Sequence, residues 1–216
     1  MNAPLPNRPY AAQDLRIRLA VSEDLPALLA IRNWAIANTY SCFTNEPETL
    51  ASWHTRWNEK CPTHPWLVAE VQGVVIGYAL SHALLDRCGL SAAVETSVYI
   101  APEHHGRGVA TALYRNLIGL LKAQGYASLV AVISLPNPAS EHLHETYDFR
   151  RVGTLSRVGW KFDRWHDVGY WQLTLCESSD PPLRIKQVSE VQSILVTESD
   201  HHRSGEHRSA HADCTE

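Results

Sequence analysis

An α/β (α+β) fold is predicted, with a mixed central sheet and flanking helices. Two observations predict it. Strand-like and helix-like runs follow one another in the order βα(α)βββαβαββ, which is mixed rather than a repeating βα alternation. Hairpin-linked strands come before the central helix, so the chain does not read as a doubly wound dinucleotide fold.

LRIRLA at 15–20 opens the sheet. SEDLPALLAIRNWAIANTY (22–40) reads as a helix: Ser22 offers an N-cap, Glu23 and Asp24 lie in the first turn, and Pro26 falls early enough to be tolerated. Leu25, Leu28, Leu29, Ile31, Ala35 and Ile36 form its apolar face. PETLASWHTRWNEKC (47–61) is a second helix, with Pro47 near its start. WLVAEV (66–71) and VVIGYALSHAL (74–84) flank Gln72-Gly73, a tight hairpin turn. AVETSVYI (93–100) is a third strand, ended by Pro102. Residues 108–124 carry Ala110, Leu113, Leu117, Leu120 and Leu121 on one helical face, and Gly125 is placed to stop the helix. ASLVAVIS (127–134) is a buried strand, NPASEHLHETY a short helix entered at Asn137, and strands at 150–160 and 168–175 close the domain.

These elements span residues 15–176. Residues 1–14, rich in Pro, Ala and Asn, read as a flexible leader. From Glu177 to Glu216 the chain turns polar and acidic, with His201, His202, His207 and His211 loosely spaced, and reads as a disordered tail. The formal net charge of −4 is carried by that tail, which has eight acidic and four basic residues. No basic excess is left for counterion release, which argues against nucleic-acid binding. No apolar run approaches the roughly 20 residues that span a bilayer, and the N-terminus lacks the apolar core of a secretory signal. A cytoplasmic protein with no membrane contact is expected. Five cysteines, scattered and without a C-x-x-C pair, argue against a disulfide framework and against a metal site.

One stretch carries chemistry. EHHGRGVATAL (103–113) lies between a strand and a helix start, where a glycine turn presents backbone N–H groups to an anion. It lacks the Gly-Lys-Ser/Thr of a P-loop, and G-x-G-x-x-G fails at Thr111. Taken alone, it is as well read as a plain structural turn. With its flanks, SVYIAPEHHGRGVATALYRNLI resembles the acyl-CoA loop of the GNAT N-acetyltransferases, with pattern Q/R-x-x-G-x-G/A on His105, Gly106, Arg107, Gly108, Val109 and Ala110. VETSVY, AVISLPNPASEHLHE and VGWKFDRWHDVGYWQLTL are similar to the phosphinothricin N-acetyltransferases and their amino-acid N-acetyltransferase relatives.

The resemblance implies a GNAT-like sheet, acetyl-CoA as co-substrate, no metal, a small amino-acid acceptor and a homodimer. It also implies roles for particular residues. Glu95 is an acid in a β-branched strand, either an exposed carboxylate on the strand face or, as the resemblance has it, the base that frees the attacking amine. His144, in LHE, is either a half-buried helix histidine or the group that protonates the thiolate or orients the substrate. Val98 and Ile100 would pair through their backbone with the pantetheine arm, and the loop from His105 to Thr111 would hold the pyrophosphate. Asn137 would contact the co-substrate or cap its helix. Phe43, Arg87, Lys161 and Trp165 would meet the acceptor, Arg87 through a planar fork suited to a carboxylate or phosphinate.

Three positions depart from the subgroup: Cys42 stands for Asn, Leu90 for Tyr, and Tyr147-Asp148-Phe149 for Leu-Gly-Phe. The first two bear on the acceptor, and the third implies a changed turn after the helix. Acetylation of a protein N-terminus or a polyamine, and a non-catalytic acyl-CoA-binding module, are the alternative readings.

Overall fold

A computed structural model describes residues 8–11, 13–60, 62–85, 92–177 and 184–195. The strands are β1 (Arg16–Leu19), β2 (Trp66–Val71), β3 (Val74–Ala83), β4 (Ala93–Ile100), β5 (Ser128–Leu135), β6 (Arg150–Lys161) and β7 (Arg164–Thr174). The helices are α1 (Leu25–Asn38), α2 (Leu50–Glu59), α3 (Val109–Gln124), α4 (Pro138–Thr146) and α5 (Val188–Val191). One seven-stranded mixed sheet runs β1-β2-β3-β4-β5-β7-β6, as the fold class requires.

Each helix forms for a local reason. Ser22 does not cap α1: residues 22–24 make a 3₁₀ turn, and the Asp24 carboxylate accepts from Val21 N at 2.8 Å. Arg18 clamps the same carboxylate at 2.7 Å and 2.8 Å. Burial alone would raise the Asp24 pKa, but these donors outweigh it and hold it below the usual range. Helix α2 starts at Leu50 rather than at Pro47, because Thr49 is the residue whose side chain accepts from Ser52 N (3.2 Å). Helix α3 ends at Gly125, in the left-handed region at φ 96°.

The sheet separates two apolar layers. Leu113, Leu117, Leu120 and Leu121 of α3 pack with Leu67, Ala79, Val94, Leu129 and Trp171. Each buried leucine contributes roughly 1.5–3 kcal/mol. On the other side Leu25, Leu28 and Ile31 of α1 and Trp53 of α2 meet Trp66, Val68 and Tyr78. Strand β4 alternates between them: Val98 and Ile100 pack toward the α3 layer, Tyr99 toward the α1 layer.

Two expectations about the chain ends are corrected. Tyr10, placed in the flexible leader, donates its N–H to Arg107 O (3.2 Å). Residues 184–195, placed in the disordered tail, dock on α3. There Val191 is buried, Lys186 N donates to Gln124 O (2.9 Å), and Gln124 Nε2 donates to Lys186 O (2.8 Å). A few apolar side chains among polar ones are enough for this, although the composition of the whole tail is that of an unfolded segment. The tail histidines lie outside the described residues. Among those described, no helix is long and apolar enough to cross a membrane.

The turn after α4 is also recast. Asp148 adopts φ 62°, the conformation that glycine takes most readily, and the N–H groups of Tyr147, Asp148 and Phe149 return to carbonyls of His144 and Glu145. Asp tolerates this region better than most residues, so a helix-ending turn forms without the glycine.

Candidate functional site

The site begins where β4 and β5 part. They pair in parallel only at Ala93↔Ser128, Val94↔Leu129 and Glu95↔Val130. Beyond Glu95, β5 instead follows β7, with which it pairs along its length. The β4 backbone from Thr96 to Ile100 is left facing a cavity of about 570 Å³, with Ile133 and Ser134 of β5 on the far wall. Strand β3 still pairs with this part of β4, so the fork stays rigid on one side.

The glycine turn closes one end of the cavity. Gly106 (φ 70°) and Gly108 (φ 80°) are both left-handed, where a side chain would be strained. Gly108 is the N-cap of α3 and supplies no side-chain acceptor, so the first-turn N–H groups keep free hydrogens beside the cavity. His105, Gly106, Gly108, Val109, Ala110 and Thr111 all line it, as do Val98, Ile100 and Asn137. His105 Nε2 bonds Ile100 O at 2.9 Å. Asn137 is the N-cap of α4, its Oδ1 accepting from Ser140 N at 3.2 Å.

Arg107 departs from this group. Its guanidinium stacks 3.7 Å over the Tyr10 ring, donates to the Tyr10 hydroxyl at 2.8 Å, and reaches Arg8 O at 3.3 Å. Tyr10 also bonds His104. Arg8 and Tyr10 therefore strap the glycine turn from outside and take the arginine away from the cavity.

His144 is buried at 3% exposure, beside the fork. Its Nδ1 bonds Ser140 O at 2.7 Å, and its Nε2 meets the Tyr114 hydroxyl at 2.7 Å. With Nδ1 carrying the hydrogen toward the carbonyl, Nε2 is the acceptor from Tyr114. Burial lowers the His144 pKa more than Ser140 O raises it, which favours the neutral ring. The Tyr114 hydroxyl also lies 3.1 Å from Thr96 Oγ1, and burial pushes it well above the usual tyrosine range. Sequence reading passed over Tyr114 and Thr96. The available signal was a tyrosine in a leucine-rich helical face, where its hydroxyl needs a partner.

Glu95 stands at the last paired position, with its carboxyl pKa raised by burial and drawn down by His82. A second cavity of about 550 Å³ lies against α2, lined by Arg32, Arg56, Lys60, His64 and His82. Ser97 and Tyr99 line both cavities, and Arg32 donates to the Tyr99 hydroxyl.

Of the expected acceptor residues, Phe43 and Lys161 come together. Lys161, 5% exposed, donates from Nζ to Cys42 O (2.6 Å) and Thr44 O (3.2 Å), on either side of Phe43. Burial lowers its pKa. The Phe43 ring sits on Gly159, where any Cβ would collide with it. Trp165 instead faces outward at the β6–β7 turn, 49% exposed and 5.2 Å from Trp160 between ring centroids. Arg87 and Leu90 lie outside the described residues. No cluster of three or more metal-ligating side chains occurs among the described residues.

The sheet thus forks at a partly buried carboxylate, beside a helix start that no side chain caps and that left-handed glycines frame. The chain belongs to the GNAT acetyltransferase family: the profile of the Acetyltransferase (GNAT) family matches residues 28–149. It is 37% identical to a phosphinothricin N-acetyltransferase of Streptomyces viridochromogenes, over 82% of this chain and 96% of that one. It is 36% identical to an L-methionine sulfoximine/L-methionine sulfone acetyltransferase of Pseudomonas paraeruginosa, over 77% and 98%. A phosphinothricin acetyltransferase of Sinorhizobium meliloti, solved in complex with acetyl-CoA, superposes with a TM-score of 0.76 at 31% identity, over 79% and 94%.

Proposed function

We propose that this protein transfers the acetyl group of acetyl-CoA to the α-amine of a small amino acid or analogue, with phosphinothricin and methionine sulfoximine or sulfone as the first candidates. The observation that carries this is the fork: β4–β5 pairing ends at Glu95, the open β4 edge from Thr96 to Ile100 lines one cavity, and a second cavity shares Ser97 and Tyr99 with it. The relatives named for phosphinothricin and methionine sulfoximine support the choice of acceptor.

The residues divide the work. The glycine turn and the first N–H groups of α3 hold the pyrophosphate, and the open edge of β4 at Val98 and Ile100 holds the pantetheine arm. The acceptor approaches from the side of the second cavity, its anionic end toward Arg32 and Phe43–Lys161. Glu95 takes the proton shed by the amine as its bond to the carbonyl carbon forms and the carbon–sulfur bond breaks. The Tyr114 hydroxyl, which burial keeps protonated, gives its one hydrogen to His144 Nε2, and the CoA thiolate leaves without a proton from it. His144 holds that hydroxyl in place, so its part is orientation rather than acid catalysis. The need for acetyl-CoA agrees with a cytoplasmic setting, and the apolar edge of β6 supports a homodimer.

The test is thiol release from acetyl-CoA with phosphinothricin, methionine sulfoximine, methionine sulfone, a polyamine and a peptide with a free N-terminus. Release with the amino acids alone is the expected result. Release with none of them, together with tight CoA binding, would replace the enzyme by a binding module. Glu95→Gln should lower kcat by roughly 10²–10⁴ and leave the Kd for CoA within about twofold, read by calorimetry.

A further inference from the structure

Strand β3 brings a second titratable group to Glu95. His82 is its cross-strand partner in the antiparallel β3–β4 register, so both side chains leave the same face of the sheet. Nε2 of His82 lies 3.7 Å from Oε1 of Glu95. Nδ1 of His82 meets Ala83 O at 3.2 Å. That bond places the Nδ1 hydrogen on the carbonyl and turns Nε2 to the carboxylate, which the imidazolium attracts because it carries a hydrogen on both nitrogens, whereas the neutral ring would offer Nε2 as a lone pair.

The surroundings single out this contact. From α1, Arg32 is engaged with Glu48 and Tyr99; from α2, Arg56 is engaged with Glu48, and Glu59 and Lys60 line the cavity. His64 stands before β2, and the charge of His82 acts on it. From α3, Tyr114 feels the Glu95 charge. The parallel neighbour on β5, Val130, carries no charge. Among the described residues, His82 is the group whose charge acts on the Glu95 carboxyl.

We propose that His82 is a positioning residue for the transfer reaction: across the β3–β4 pair its imidazolium holds the Glu95 carboxylate at the fork and favours its ionised form. This rests on Glu95 as the base. The pair is partly open to solvent, with side-chain exposures of 47% and 25%, so its effect is that of a screened ion pair.

The test combines a titration with kinetics. In the ligand-free protein, ¹³C NMR follows the Glu95 carboxyl with pH in the wild type, His82→Gln and His82→Lys. His82→Gln should move the midpoint up by about 0.2–0.7 pH units. The acidic limb of kcat/KM for the amino acid should move by the same amount, with the KM for acetyl-CoA unchanged. His82→Lys, which restores a positive charge, should bring both back down. A Glu95 midpoint that stays in place in His82→Gln overturns the proposal whatever the kinetics. A midpoint that moves while the rate limb stays also overturns it. Glu95→Gln, run in the same buffers, tells where that failure lies: full turnover puts it on the base assignment, lost turnover on His82.

Discussion

Gly159 shows how much one side chain decides at this site. The Phe43 ring lies where a Cβ at 159 would stand, and Lys161, two residues on, holds the carbonyls on either side of that ring. Gly159→Ala should therefore cost about 1–3 kcal/mol in chemical denaturation, the usual cost of overpacking. Combining it with Phe43→Leu should recover part of the loss, and strict additivity of the two would show that the contact is not the cause. The sequence singled out Lys161 as a candidate for the acceptor, but its two backbone acceptors, Cys42 O and Thr44 O, were not legible there. Nothing in WKFDRWHD says that the loop after α1 folds against it. Tyr114 and Thr96 were hidden for the same reason. The Tyr114 hydroxyl meets both His144 and Thr96 only because α3, α4 and β4 converge, and no sequence spacing encodes that convergence.

At the scale of elements, the periodic parts were read well. The α3 leucines, the Gln72-Gly73 hairpin and the Gly125 stop rest on local patterns, with φ 50° and 79° in the hairpin turn as its tight geometry demands. The ends of the chain were misread because docking depends on what lies opposite. Val191 and the Lys186 backbone fasten the segment 184–195 to α3. Truncation after residue 177 should lower stability by about 3–4 kcal/mol, from one buried valine and the two hydrogen bonds between Lys186 and Gln124. For a domain of this size that is a fall of about 6–16 °C in Tm by calorimetry. Truncation after residue 195 should leave Tm within about 1 °C on the same scale, and equal effects of the two cuts would place the stabilisation elsewhere.

For the whole molecule, the outermost strand carries the consequence. Strand β6 is exposed from Arg150 to Val158, and Val152 (60%), Leu155 (48%) and Val158 (52%) are apolar. An apolar edge strand of this length invites pairing. A homodimer closed through this edge should show twice the chain mass by light scattering, and Leu155→Lys with Val158→Lys should return the monomer mass. A wild-type monomer at micromolar concentration would exclude the dimer. By itself the sequence determined the element order, the α3 face, the glycine turn before α3 and the acid in β4, because each depends on a residue's own propensity or on short-range periodicity. Only the tertiary structure decided that β5 leaves β4 immediately after Glu95, that Arg107 turns to Tyr10, and that His82 stands across from the carboxylate. These depend on which strands become neighbours, and neighbours in the sheet are chosen by burial over the whole chain.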